Sequence, residues 1–233
     1  MTGLDFSVRA TDLQELMDDP DCDLTALRRT YAQFRVVNRL VSGWRRIYRR
    51  RLRPLLSGST TTTLLDIGSG GGDVPRALAA WAARDGLRLE ITAIDPDERA
   101  HAFATEWPEV AGLTFRRASS ADLLAGGEQF DIVTSNHLLH HLTASELADL
   151  VHDSERLARR LVVHNDIARS RCAYLGYAVV SRPFGTRSFI HIDGLLSIRR
   201  SYRPAELAAQ VPPRWRAEPQ FPARVLLLRD IGG

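Results

Sequence analysis

The densest chemical signal in the chain is the run DIGSGGG, in which Asp66 is followed by glycines at 68, 70 and 72. Glycine at alternate positions lets the backbone turn sharply and lets a ligand approach with no Cβ between. An apolar run, Leu64 to Ile67, precedes the loop, and Asp73 and Pro75 open an amphipathic segment after it. The loop therefore joins a strand to a helix start, whose amides favour an anion. A second acid, Asp95, lies 23 residues beyond Gly72, in AIDPD beside Pro96. A carboxylate ending the second strand is placed to accept both hydroxyls of a ribose.

Two nucleotide-binding loops are excluded by spacing. A dinucleotide fingerprint starting at Gly68 needs glycine at 73, which is Asp73, and a phosphate-binding Walker loop needs a lysine, which the chain lacks entirely. What remains resembles the acid-x-Gly-x-Gly-x-Gly loop of class I S-adenosylmethionine (SAM) dependent methyltransferases. Across residues 63 to 165 the chain is similar to the bacterial family that includes ubiquinone and menaquinone biosynthesis methyltransferases and many natural-product O-methyltransferases. The resemblance implies SAM as cofactor and S-adenosylhomocysteine (SAH) as product, held by Asp66, Gly68, Ser69, Gly70, Gly72, Asp95 and Pro96. Where the family usually has Gly-Asp at the adenine, this chain has Ala118 and Ser119. Ser119, Ser120 and Asp122 are expected there, with Asp122 replacing the missing acid. The segment FDIVTSNHLLHHL matches the family's fourth motif, which implies Asn136 and His137 under the methionine part of SAM, with Leu138, Leu139 and Leu142 as packing residues.

A sulfonium is already a strong electrophile, so such an enzyme must mainly align the acceptor and remove its proton. A phenol, with a pKa of about 10, is mostly protonated at neutral pH, and a positioned base is worth roughly 10² to 10⁴-fold. Histidine is the natural candidate. His137, His140 and His141 follow the fourth apolar run, and His164 and Asp166 close the fifth, on the side where open α/β sheets bind ligands. By resemblance to O-methyltransferases with an LHH-type segment, His140 with Asp166 is the expected base pair and His141 the alternate. His191, in RSFIHIDG, is the second candidate base. For each histidine the alternative is a hydrogen-bonded loop or core residue; His101 and His152 fall on crossover helices and are read as structural. No metal is expected, because the carboxylate-rich set that hard cations prefer is not evident.

Apolar runs at 64–67, 89–94, 113–116, 130–135 and 161–165 alternate with amphipathic segments at 73–84, 97–106, 121–125 and 144–158. That alternation predicts α/β architecture with a parallel sheet. RWRAEP (214–219) and ARVLLLR (223–229) read as a closing antiparallel hairpin. The fold expected is a Rossmann-like, seven-stranded, mostly parallel sheet with helices on both faces and an N-terminal helical extension. Leu24, Leu27, Tyr31, Phe34, Val37, Val41, Trp44 and Tyr48 recur at steps of three and four, so residues 11 to 56 read as helical with that stripe buried. Residues 1–60 are expected to cap the domain, and 61–233 to form the methyltransferase domain. An irregular, substrate-facing insertion is expected at about 167–202.

All 31 basic residues are arginine, spread along 233 residues with a net charge of +3, so the basic balance alone says little about nucleic acid. Arg45, Arg46, Arg49, Arg50, Arg51 and Arg53 crowd one helical stretch, read first as a solvated face. Trp44, Ile47 and Tyr48 interleave with them, and the resemblance, in which N-terminal helices cover the substrate pocket, implies that they form part of a lid. Two distant cysteines fit a reducing cytoplasm, and no run approaches a membrane span. The expected partner is a small-molecule acceptor, phenolic, quinol or polyketide-type, with nucleic acid unlikely and a homodimer left open. The competing readings are an RNA methyltransferase using the basic helix and a SAM-binding protein without chemistry.

Overall fold

The computed structural model describes residues 5–184 and 187–232. Residues 1–4, 185, 186 and 233, which fall in the expected cap, insertion and main domain, lie outside the described residues.

Five apolar runs become parallel strands: β1 (Thr62–Ile67), β2 (Leu89–Ile94), β3 (Leu113–Arg116), β4 (Phe130–Asn136) and β5 (Ala158–Ile167). Two more, β6 (Arg216–Gln220) and β7 (Arg224–Asp230), form the hairpin, and β7 runs antiparallel to both β5 and β6. The sheet order is β3-β2-β1-β4-β5-β7-β6. Helices cover both faces, which is why Leu64, Leu65, Ile132, Val133, Val162 and Val163 are all buried. The chain winds outward from β1 in both directions, so the strand order reverses between β1 and β4. A crevice at the carboxyl ends of strands is the rule at such a point. The glycine loop follows β1, the NHLLHH segment follows β4, and Asp166 sits near the end of β5, so the topology gathers all three at one edge.

The crossover helices are α3 (Asp73–Arg84), α4 (Glu98–Thr105), α5 (Ser120–Ala125) and α6 (Ala144–Leu157). The last opens on a reciprocal cap: the Thr143 hydroxyl accepts from the Glu146 amide while the Glu146 carboxylate accepts from the Thr143 amide.

The N-terminal region departs from the expected single helix. The first helix, α1 (Leu24–Val41), ends at Ser42, and Gly43 takes φ 72° before a short helix, α2 (Trp44–Ile47), which runs on through a π turn to Leu52. A Cβ on Gly43 would lie 2.4 Å from Gln220 Nε2, so the break is fixed by close approach of β6 as well as by backbone freedom. The apolar stripe therefore divides. Leu27 and Tyr31 pack on α4, Trp44 and Tyr48 enter the core on one face of the sheet, and Leu24 and Val41 stay exposed.

The stretch from 167 to 202 is not irregular. It holds two helices, α7 (Arg171–Val180) and α8 (Ile190–Arg200), and a third, α9 (Pro204–Ala209), follows. The segment before α1 lies against them as a strap. Arg169, itself buried, donates to the carbonyls of Phe6 (3.0 Å), Ser7 (3.1 Å) and Ser201 (2.7 Å) and pairs with Glu206. Replacing Arg169 by leucine leaves those acceptors without donors, and urea titration is expected to show a loss of about 2 to 3 kcal/mol. A loss under about 0.5 kcal/mol, as for an ordinary surface change, contradicts this anchoring.

Candidate active site

A cavity of about 580 Å³ opens at the carboxyl ends of β1, β4 and β5, lined by Gly68 to Gly71, Asn136 to Leu138 and Ile167 among others. Its floor is the glycine loop. Gly68, Gly70 and Gly72 take φ values of 67°, 51° and 76°, a region that L side chains rarely adopt. A Cβ on Gly72 would lie 2.6 Å from the Phe115 ring, and one on Gly71 would lie 3.0 Å from Tyr31 Cβ. Asp95 ties this loop to β2: its Oδ2 accepts from the Gly70 amide (2.8 Å) and its Oδ1 from the Asp97 amide (2.9 Å). Burial raises its pKa, and each oxygen keeps a lone pair for the cavity side.

The other expected cofactor residues divide. Gly68, Ser69, Gly70, Asp95, Pro96, Asn136 and His137 line the cavity; Asp66, Gly72, Ser119, Ser120 and Asp122 do not. Asp66 is buried between strands, where it accepts from Thr134 Oγ1 (2.8 Å), and burial pushes it up to about 7. Asp122 caps α5, accepting from the amide and hydroxyl of Ser119, and Ser120 donates to Asp153. Local capping thus uses the polar groups expected at the adenine. Asn136 faces the cavity, but its Oδ1 already accepts from Trp44 Nε1 (2.9 Å) and Asn165 Nδ2 (3.0 Å). Trp44, Ile47 and Tyr48 belong to the core and do not line the cavity, contrary to the lid expectation; Phe34 and Val37 of α1 line it instead. His137, at φ 57°, is half-buried at the cavity, and desolvation holds its pKa well below the ordinary histidine value.

Asp73 also faces the cavity, at the first turn of α3, where Asn38 Nδ2 donates to it (3.0 Å) and burial raises it to about 6. A glycine cradle that side chains would fill, a ribose-facing acid and this acid beside the loop fit a nucleoside carrying an amino-acid end.

His140 and Asp166 meet in the buried wall of the cavity, 2% and 1% exposed. The His140 Nδ1–H donates to Asp166 Oδ1 (2.7 Å) and its backbone amide to Oδ2 (2.8 Å), a two-point grip that fixes the ring. The far nitrogen, Nε2, faces Glu15 Oε1 at 3.2 Å without a well-aligned hydrogen bond. Burial disfavours a charge on His140, but the carboxylates of Asp166 and Glu15 outweigh it and raise its pKa to about 9. Although burial pushes Asp166 up, His140 holds it below the usual carboxylate range.

His141 is part-exposed beside it, its Nδ1 3.1 Å from Asp18 Oδ2 and its Nε2 3.8 Å from Glu15 Oε2. His191 turns elsewhere: it lies on α8 with Nδ1 on the Ser181 hydroxyl (2.7 Å) and does not line the cavity, whereas Asp193 two residues on does. Asp193 accepts from the amides of Leu16 and Met17 and so positions the strap that carries Glu15 and Asp18. His164 is enclosed, bonded to Ser135 and stacked on Trp215, with burial lowering it to about 3. Glu15, Asp18, Asp73 and Asp193 also line the cavity; the sequence marks Asp73 only as opening α3 and Asp193 only as a neighbour of His191, and does not single out Glu15 or Asp18.

Residues 64–160 match a family model described as a methyltransferase domain. No curated protein matches the chain in sequence. Among solved structures the chain is similar to magnesium protoporphyrin IX methyltransferase from Synechocystis PCC 6803 with bound SAH (14% identity, 88% of this chain and 86% of that one, TM-score 0.54). It is also similar to the plantazolicin methyltransferase BpumL in complex with SAH (11%, 90% and 97%, 0.56) and to the CurJ carbon methyltransferase (14%, 84% and 55%, 0.59). With the glycine loop, the acid after β2 and the sheet order, these findings show a Rossmann-like methyltransferase fold and support SAM-dependent methyl transfer.

Proposed function

We propose that the chain transfers the methyl group of SAM to a hydroxyl of a phenolic, quinol or polyketide-type small molecule, and that His140, oriented by Asp166, removes the acceptor's proton. The observation that carries this reading is His140, which lines the cavity floored by the glycine loop and is held from behind by Asp166. In the same reading Gly68, Ser69 and Gly70 cradle the methionine end, Asp73 takes its ammonium, and Asp95 with Pro96 holds the ribose. SAM supplies the electrophilic methyl; the protein's part is to align the acceptor and take its proton.

The wall supports an apolar acceptor. Phe34, Val37 and Val41 of α1 and Ala173, Tyr177 and Val180 of α7 all line the cavity. Val179 and Val180 are 65% and 70% exposed, so the apolar surface extends outward along α7. The neighbours include carbon, peptide-product and N-acetylserotonin methyltransferases, so the acceptor atom rests on the base pair and not on them. The cleft lined by Arg45, Tyr48, Arg49, Arg53, Arg84 and Asp85 shares no lining residue with the glycine-loop cavity, which weighs against RNA as acceptor. Among the described residues no helix is long and apolar enough to cross a membrane.

The test is incubation of the protein with SAM and a panel of phenols and quinols, read by mass spectrometry for a methylated product. Methylation of none of them, with RNA or a carbon acid methylated instead, overturns the reading. The pH dependence follows from His140. Its pKa is raised, so it keeps its proton at neutral pH, and the neutral form that acts as base grows as pH rises. kcat/KM is therefore expected to climb with pH, about tenfold per unit well below the inflection, and to level off near pH 9. A flat profile between pH 6 and 9 contradicts the assignment of His140 as base.

A further inference from the structure

The strap brings Glu15 to a place where it completes a ligand set. We propose that Glu15, His140 and His141 bind a divalent transition metal of the zinc class through one carboxylate and two imidazole Nε2 atoms. The inference goes beyond the proposed methyl transfer and does not depend on it.

Three observations carry it. The candidate ligand atoms lie within 4.8 Å of one another, on two segments more than a hundred residues apart in sequence. His140 Nε2 is 3.2 Å from Glu15 Oε1 and His141 Nε2 is 3.8 Å from Glu15 Oε2. Ligands about 2.0 to 2.1 Å from a tetrahedral zinc stand about 3.3 Å apart; the His140–Glu15 pair already has that spacing, and the rest of the set, spread over up to 4.8 Å, must draw in around the ion.

The second observation is orientation. Each histidine has its other nitrogen on a carboxylate, His140 Nδ1 on Asp166 and His141 Nδ1 on Asp18. That is the arrangement by which metal-binding histidines are fixed in tautomer and direction. The third is an unmatched atom: His140 Nε2 is buried, makes no aligned hydrogen bond, and is aimed at Glu15.

Glu15, Asp18 and Asp166 converge on the two imidazoles, with Asp193 close by on α8. Arg200 is the cation from α8, with Nη1 3.4 Å from Asp18 Oδ2 and 3.8 Å from Glu15 Oε1. Arg9 and Arg224 act on Asp166 from other elements, so a divalent ion would enter by displacing protons from the imidazoles. Two imidazoles and one carboxylate suit zinc, cobalt or nickel rather than magnesium or calcium, and leave one tetrahedral position toward the cavity. The expectation of no metal rested on a search for clustered carboxylates, which does not detect a histidine-rich set closed by a distant acid.

A metal on His140 Nε2 and a proton accepted there exclude each other, so zinc is expected to inhibit any transfer for which His140 is the base. Binding itself needs no acceptor. Chelator-treated full-length protein is titrated with Zn²⁺ by calorimetry at two pH values, and with Co²⁺ followed by its visible absorption. The expected result is one equivalent bound with a dissociation constant on the order of micromolar or tighter, proton release, affinity rising with pH, and an intense tetrahedral Co²⁺ spectrum. His141→Ala and Glu15→Gln are expected to abolish the Co²⁺ spectrum. Asp18→Asn, which removes only the carboxylate behind His141, is expected to weaken binding roughly 10- to 100-fold. Retained SAH binding and circular dichroism show that each variant is folded. Absence of stoichiometric Zn²⁺ binding, or binding unchanged in both His141→Ala and Glu15→Gln, overturns the proposal.

Discussion

His140→Ala and Asp166→Asn are each expected to lower kcat on a phenolic acceptor by roughly 10² to 10⁴-fold while SAH affinity stays nearly unchanged. The two act through one nitrogen. Asp166 grips the imidazole at Nδ1 and at the His140 backbone amide, so its carboxylate fixes the ring, selects the tautomer with the proton on Nδ1 and stabilises the imidazolium after proton transfer. Asparagine keeps the shape but loses the charge that holds His140 high, so the alkaline inflection in Asp166→Asn is expected to move to lower pH as the rate falls. A merely structural role for Asp166 predicts lost stability without that shift. Steady-state kinetics from pH 6 to 10 reads both, and a variant with unchanged kcat removes the base assignment.

The second large effect concerns the cofactor. Asp95→Asn is expected to raise the dissociation constant for SAH about 10- to 150-fold, the loss of about 1.5 to 3 kcal/mol that attends a hydrogen bond to a charged acceptor. The amide sets a donor beside the Gly70 N–H, which donates to Asp95 Oδ2 in the native protein, and also withdraws the charge from the ribose. Burial makes the site stringent, since Asp95 has little water to replace a lost partner. Calorimetry with SAH measures the effect directly; a change below threefold would show that Asp95 shapes the loop without touching the sugar.

Sheet and loop were legible in the sequence because their signals are local. Runs such as LEITAI read as buried strands, and the alternating glycines required positive φ wherever the ligand was to lie. The N-terminal helix was misread because the period of Tyr31, Val37, Val41, Trp44 and Tyr48 survives the break; the Ser42–Gly43 pair was the signal against it. The stretch containing α7 and α8 looked irregular because α7 is apolar around its exposed face, so no polar side marks its period. His140 and Asp166 were predictable from strand ends. Glu15 was not, since its place depends on a strap held by Arg169 and Asp193, and nothing near residue 15 in sequence announces a histidine 125 positions away. Asp122, expected at the adenine, forms the cap of α5 and does not line the cavity: a serine three residues before an acid is itself a helix-capping pattern.

The most direct test of His140 as the base compares wild type and His140→Gln on phenols whose own pKa values run from well above to well below neutral. With the base in place the wild-type rate depends weakly on acceptor pKa. The variant is expected to fall steeply on weakly acidic phenols and to recover on those already ionised, because their proton no longer has to be removed. A variant equally impaired on ionised and un-ionised acceptors, or impaired on neither, would contradict the account.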